Sequence, residues 1–175
     1  MPISSWQAIS DITAEIVRLG PKSVLDLGCG FGLYGVICRN YLDAMHGRID
    51  RFHWQVRIQG VEGFEQYRNT AWRSYDLVEG CDFTERSWCD WDLVLMIDSL
   101  EHLAPDAWKP FLDGLVERNR NIIVSVPNGL MEQGAAHGNE LERHRTTFYG
   151  PEFDGYDHTL IHCSLCRVVS IRGKG

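Results

Sequence analysis

The chain has 175 residues, 44% hydrophobic and 23% charged, enough apolar material to bury a core and too little charge for a disordered polymer. Seventeen Lys and Arg against 24 Asp and Glu leave a formal net charge of -7, which argues against a broad phosphate-tracking surface and so against a nucleic-acid partner. No apolar run approaches the roughly 20 residues of a membrane-spanning helix, and the opening residues lack the basic and apolar stretches of a secretory leader.

Residues 1–20 predict an N-terminal helix. Ser4 and Gln7 have the spacing of a capping box, and Trp6, Ile9, Ile12, Ile16 and Leu19 recur along one helical face. Gly20-Pro21 stops it. Ser23 to Leu27 is a short apolar run ending in glycines and reads as a buried strand. A helix over about 32–45 follows, then a strand from Val56 to Val61 and a short helix from Glu65 to Trp72. Asp76–Val78, Trp91–Ile97 and Ile122–Val126 read as further strands, with a helix opened by Pro105 and running through Leu115 between the last two.

This alternation implies a doubly wound, Rossmann-like α/β sheet of parallel strands covered on both faces. The end differs. His158–Cys163 and Arg167–Ile171 are strand-like with almost nothing between them, so they must pair antiparallel. Residues 128–147 form the one long irregular stretch, and a loop of that length inside a compact domain suits a lid. With no linker or repeat, one domain over residues 1–175 is expected. Six scattered cysteines in an ordinary composition point to reduced thiols and a cytoplasmic setting.

Ligands of open α/β sheets sit beyond the carboxyl ends of the strands. There the first strand gives Asp26-Leu27-Gly28-Cys29-Gly30-Phe31-Gly32, whose glycines allow a sharp turn and close backbone approach. The next three strand ends give Glu62-Gly63-Phe64, Gly80-Cys81-Asp82-Phe83 and Asp98-Ser99-Leu100-Glu101-His102. Four successive ends carry an acid. Carboxylates repel phosphate, so the pattern points to a ligand rich in hydroxyls and amines. Gly30, Gly32 and Gly35 do satisfy a dinucleotide fingerprint, yet the turn already starts at Gly28, and from there the third glycine would fall on Leu33.

VLDLGCGFG, GVEGF, GCDF and WDLVLMIDSLEHL together resemble the motifs of class I S-adenosylmethionine-dependent methyltransferases over roughly residues 21–127. The resemblance implies S-adenosyl-L-methionine as cofactor. It would set Asp26 near the amino-acid moiety, with Gly28, Gly30 and Gly32 forming the close turn. Glu62 would accept from the ribose hydroxyls and Phe64 would pack on adenine. Asp82 would take the adenine amino group with the Phe83 amide nearby, and Asp98 would lie by the methionine portion. The terminal antiparallel pair resembles that family's reversed last strand.

His102 and His144 can take a proton near neutral pH and are the candidate general bases. His158, His162, Cys163 and Cys166 have metal-like spacing but fall in a strand pair, where small packed cysteines explain them as well. Pro127 stands where a catechol-type metal site would want an acid beside Asn128, so no metal is expected. The fourth strand lacks the Pro-containing motifs of nucleic-acid methyltransferases. A small-molecule methyl acceptor is therefore the expected partner, with the 139–145 stretch contacting it and a homodimer as one way to complete the pocket. A cofactor-binding regulator without turnover and a protein methyltransferase are the alternatives.

Overall fold

A computed structural model describes residues 4–175. Its centre is one seven-stranded sheet: β1 (Ser23–Leu27), β2 (Arg57–Val61), β3 (Leu77–Glu79), β4 (Leu93–Ile97), β5 (Asn121–Pro127), β6 (His158–Cys163) and β7 (Cys166–Arg172). The spatial order is β3-β2-β1-β4-β5-β7-β6. The first five strands pair in parallel, and β7 runs antiparallel to both β5 and β6. The fold is thus the mixed α/β sheet that the alternation predicts, with the reversal where the two closely spaced runs require it.

Side chains leave alternate faces of a strand, and here both faces are covered. Leu93, Leu95 and Ile97 of β4 enter one core with Ile12 and Ile16 of α1 (Ile9–Leu19) and Ile37 and Cys38 of α2 (Leu33–Leu42). Val94 and Met96 enter the other, with Leu112, Leu115 and Val116 of α3 (Trp108–Arg118) and the C-terminal Phe148 and Phe153. The chain moves outward from β1 to β3, then restarts at β4 on the other side of β1. That switch point opens a crevice between the ends of β1 and β4.

Several boundaries differ from the sequence reading for local reasons. Residues 1–3 of the N-terminal segment lie outside the described residues. Trp6–Ala8 is a 3-10 turn and the α-helix proper begins at Ile9. The turn starts one residue later than the capping box requires, with Ser5 at the N-cap and no side-chain cap; the Ser5 amide donates to Asp98 Oδ2 and the Gln7 side chain accepts from Ser164, so tertiary contacts take the helix start. Of the predicted stripe only Trp6 faces out, at 78% exposed; Ile12 and Ile16 are buried, Ile9 and Leu19 pack against the same core, and Ala8 joins them. Gly20 ends the helix as expected, left-handed at φ 56° with its amide on the Ile16 carbonyl. Residues 65–72 form no α-helix. Asn69 accepts from the Ala71 amide and starts a second 3-10 turn, Thr70–Ser74, after the first, Glu65–Tyr67. No described helix is long and apolar enough to cross a membrane.

Candidate functional site

The crevice at the strand ends is a cavity of about 290 Å³, lined by Asp26, Gly28, Gly30, Glu62, Asp82, Phe83 and Asp98 among others. Seven of the nine expected cofactor positions therefore meet in one cleft. Gly32 and Phe64 do not line it. Gly32 starts α2 at φ 87°, facing Trp72 and Tyr75, and the Phe64 ring packs edge-on against Tyr67.

Each acid is held differently. Asp26 is buried under the first turn and accepts from the Tyr75 hydroxyl at 2.6 Å. Burial pushes its carboxyl up to about 7, opposed by the Tyr75 bond and reinforced by the nearby Glu62 charge. Glu62 accepts from the Gly30 amide through Oε2 at 2.8 Å and from the Phe64 amide through Oε1 at 2.9 Å. It thereby fixes the glycine turn, while burial raises its pKa. Asp82 caps the next turn through Oδ1, which accepts from both the amide and hydroxyl of Thr84. Asp98 sits in left-handed backbone at φ 51°, a conformation that costs a non-glycine residue about 1–3 kcal/mol. It takes the Ser125 hydroxyl on Oδ1 and the Ser5 amide on Oδ2, which holds the N-terminal segment beside the cleft, with Ser4 in its lining. The contact between Ser5 and Asp98 spans 93 residues and left no trace in local sequence pattern.

Two glycines are dictated by close approach. At Gly28, left-handed at φ 78°, a Cβ would fall 2.9 Å from the Ser99 Cβ, so the ends of β1 and β4 meet there without side-chain bulk. At Gly35 a Cβ would fall 2.2 Å from the Tyr75 ring, whose hydroxyl accepts from the Gly35 amide while donating to Asp26. Gly35→Ala is expected to lower stability by about 3 kcal/mol or more, because the fully buried ring has nowhere to move. Urea unfolding measures this. An unchanged midpoint would show that Tyr75 does not govern the turn.

His102 lines the cleft, and His144 comes beside it from the 128–147 segment, ring centroids 5.2 Å apart. Glu101, absent from the sequence-predicted site, brings a carboxylate oxygen within 4.8 Å of a ring nitrogen of each. It is 1% exposed, and burial, then the Asp98 charge, holds its carboxyl well above the usual carboxylate range. Burial lowers the pKa of His102. The 128–147 segment is pinned at the cleft rim: the Arg145 and Thr146 amides donate to the Glu101 carbonyl, and Tyr67 donates to Glu142. It brings Asn139, Leu141, Glu142 and Arg145 to the cavity wall, and Arg145 is the one Lys or Arg in that lining.

The other cysteine and histidine candidates do not gather. His162 is engaged on both ring nitrogens, by Asp11 and by Ser164. His158 bonds the Tyr156 carbonyl, Cys163 is exposed and Cys166 is buried. Burial drives the Cys29 thiol far up, which removes its nucleophilic form.

No protein-family model matches the chain, and no curated protein matches it in sequence. Its structure is similar to solved methyltransferase structures. The N-terminal domain of EvdMO1, crystallised in the presence of SAH and D-fucose, has 15% identity and a TM-score of 0.65, over 97% of this chain and 84% of that one. The methyltransferase domain of bacterial CtHen1-CN has 20% identity and a TM-score of 0.60, over 95% and 97%. The Burkholderia thailandensis 1,6-didemethyltoxoflavin-N1-methyltransferase, with its substrate and S-adenosylhomocysteine bound, has 17% identity and a TM-score of 0.64, over 97% and 79%. The chain has the fold these proteins share, that of the class I methyltransferases.

Proposed function

We propose that this protein is an S-adenosylmethionine-dependent methyltransferase acting on a small-molecule acceptor. The observation that carries the reading is the cleft itself: four successive strand ends, each contributing a carboxylate, around a glycine turn with no room for a side chain at Gly28. Such a lining favours a ligand with ammonium, sulfonium and hydroxyl groups and opposes a pyrophosphate. The buried Ser99 hydroxyl, on the cleft wall without a hydrogen-bond partner among the described residues, is a further polar group that a bound ligand would satisfy.

In this reading Asp26 faces the amino-acid moiety, Glu62 the ribose hydroxyls and Asp82 the adenine amine. Gly28 and Gly30 admit the ligand against the backbone, and Asp98 borders the methionine portion while tying down the N-terminal segment. When bound, S-adenosylmethionine supplies a methyl group already activated on a sulfonium sulfur. The chain's task is then to orient an acceptor and exclude water, mainly a matter of proximity. Leu103 and Leu141 offer the acceptor apolar contact, and Arg145 a positive charge. His102 or His144 would take the proton of a hydroxyl acceptor. The 128–147 segment, fixed to the Glu101 carbonyl, shapes the acceptor end of the pocket and would close over a small molecule.

Two of the structural neighbours, a 1,6-didemethyltoxoflavin N1-methyltransferase and mitomycin 7-O-methyltransferase, support a small acceptor. The test is to incubate the purified protein with methyl-labelled S-adenosylmethionine and panels of small hydroxyl- and amine-bearing molecules, peptides and proteins. Label transferred to a small molecule is expected. Transfer to the peptide or protein panel alone would replace the acceptor class, and tight binding with no transfer anywhere would favour a regulator.

A further inference from the structure

We infer that Glu101, His102 and His144 form a binding site for a divalent transition-metal cation at the acceptor end of the cleft. Each of the three presents one ligand atom, and these atoms all lie within 4.8 Å of one another, a spread that one coordinated ion can draw together. No other group of His, Cys, Asp and Glu among the described residues meets that condition. Pro127 beside Asn128 points away from a metal in the sequence, where local pattern does not show that the 128–147 segment returns His144 to the end of β4.

The hydrogen bonds around the cluster prepare it for an ion. His102 Nδ1 lies 3.2 Å from the Arg143 carbonyl and His144 Nδ1 2.7 Å from the Met131 carbonyl. A carbonyl only accepts, so each Nδ1 carries the hydrogen and each Nε2 keeps its lone pair. This is the outer support that ligating imidazoles ordinarily have. His144 Nε2 stands 3.9 Å from Glu101 Oε1, too far for a hydrogen bond but near enough to share an ion. Glu101 Oε2 is buried with no hydrogen-bond partner among the described residues, an omission that a bound cation repairs.

The backbone builds the pocket as well. Glu101 and His102 lie in one short turn after β4, and the carbonyl of Glu101 takes the amides of Arg145 and Thr146, which locks His144 beside it. Asp98, three residues before Glu101, has its oxygens on Ser125 and Ser5, so the donor set stops at three. Two imidazole nitrogens and one carboxylate oxygen suit Zn²⁺, Fe²⁺, Co²⁺ or Mn²⁺ better than Ca²⁺ or Mg²⁺. Three protein ligands leave coordination positions open, and His102 lies on the cleft wall with Asp98 and Ser99.

Resting on the methyltransferase reading, the site also selects an acceptor class. An ion held there would lower the pKa of an alcohol or phenol acceptor, whose proton would pass to solvent water; the oxygen would then bond the methyl carbon as the S–CH₃ bond breaks and S-adenosylhomocysteine leaves. An amine that is already neutral has its lone pair free and needs no such help.

The decisive experiment titrates the chelator-treated, full-length protein with ZnCl₂, MnCl₂ and CoCl₂ by calorimetry, and follows the cobalt absorption bands in parallel. One equivalent should bind through nitrogen and oxygen ligands. His144→Ala and Glu101→Gln should weaken it roughly 100-fold, whereas Glu62→Ala and Cys163→Ser should not change it. Circular dichroism of both ligand variants separates lost ligands from lost folding. Absence of saturable binding, equal binding by the ligand variants, or a thiolate-to-cobalt absorption band would each overturn the inference. Titration of S-adenosylhomocysteine is read separately. Its failure beside intact metal binding would remove the methyltransferase reading and leave the ion site standing, whereas success beside absent metal binding would leave the histidines as proton acceptors only.

Discussion

Replacing Asp26 with Asn is expected to abolish a pH dependence of both stability and ligand affinity that the native protein shows below neutrality. The fully buried carboxyl, pushed up to about 7 from an ordinary value of 3.8, is more readily protonated in the folded chain than in the unfolded one. Its contribution to stability is therefore complete below pH 4 and is lost as pH rises through 7. By linkage the loss amounts to about 4 kcal/mol. The Asn variant can still accept from Tyr75 and has no charge to bury, so it should match the native protein near pH 4 and exceed it at pH 8, by on the order of 10 °C in melting temperature. Ligand binding runs the other way. An ammonium group beside Asp26 favours the ionised form, so S-adenosylhomocysteine affinity should rise about tenfold per pH unit below 7 and level off above it. In the Asn variant it should be weaker and flat. Identical pH profiles in the two proteins would mean that Asp26 is neither the buried acid nor the ligand's partner described here.

Glu62→Ala should weaken S-adenosylhomocysteine by about 100-fold. Hydrogen bonds to a charged carboxylate contribute about 1.5–3 kcal/mol each, and the side chain also fixes the Gly30 and Phe64 amides that shape the turn. A 2′,3′-dideoxy analogue separates these effects. If Glu62 acts on the ribose hydroxyls, the analogue should bind the native protein weakly and lose far less than the parent ligand in the variant. A large, equal loss for both ligands would instead assign Glu62 to the turn alone.

The strand ends were readable from the sequence because buried parallel strands must be apolar and must stop at residues that turn. Asp26-Leu27-Gly28, Glu62-Gly63 and Ile97-Asp98 carry both signals at adjacent positions, and each lies on the cleft in the structure. The antiparallel end was readable for the same kind of reason, since only two residues, Ser164 and Leu165, join β6 to β7. Where the reading differed, a distant partner had taken the side chain or amide. Gln7 answers to Ser164 rather than to Ser4, and the neighbouring Ser5 amide to Asp98, so the capping box does not form. The stretch from Glu65 to Trp72 reads as one helix, but Asn69 in its middle closes its own turn and splits it into two 3-10 turns. Glu101 was invisible as a site residue because its meaning depends on His144, which only the path of the 128–147 segment brings near. Local pattern reveals which residues end a strand. It does not reveal which loop returns to them.

The cleft is proposed to take one ligand class, so the most direct measurement is calorimetric titration of the folded native protein at pH 8 with S-adenosylhomocysteine and, separately, with NAD. Saturable one-to-one binding of S-adenosylhomocysteine with no NAD heat is the predicted result. Binding of NAD, or no heat from either ligand, would contradict it.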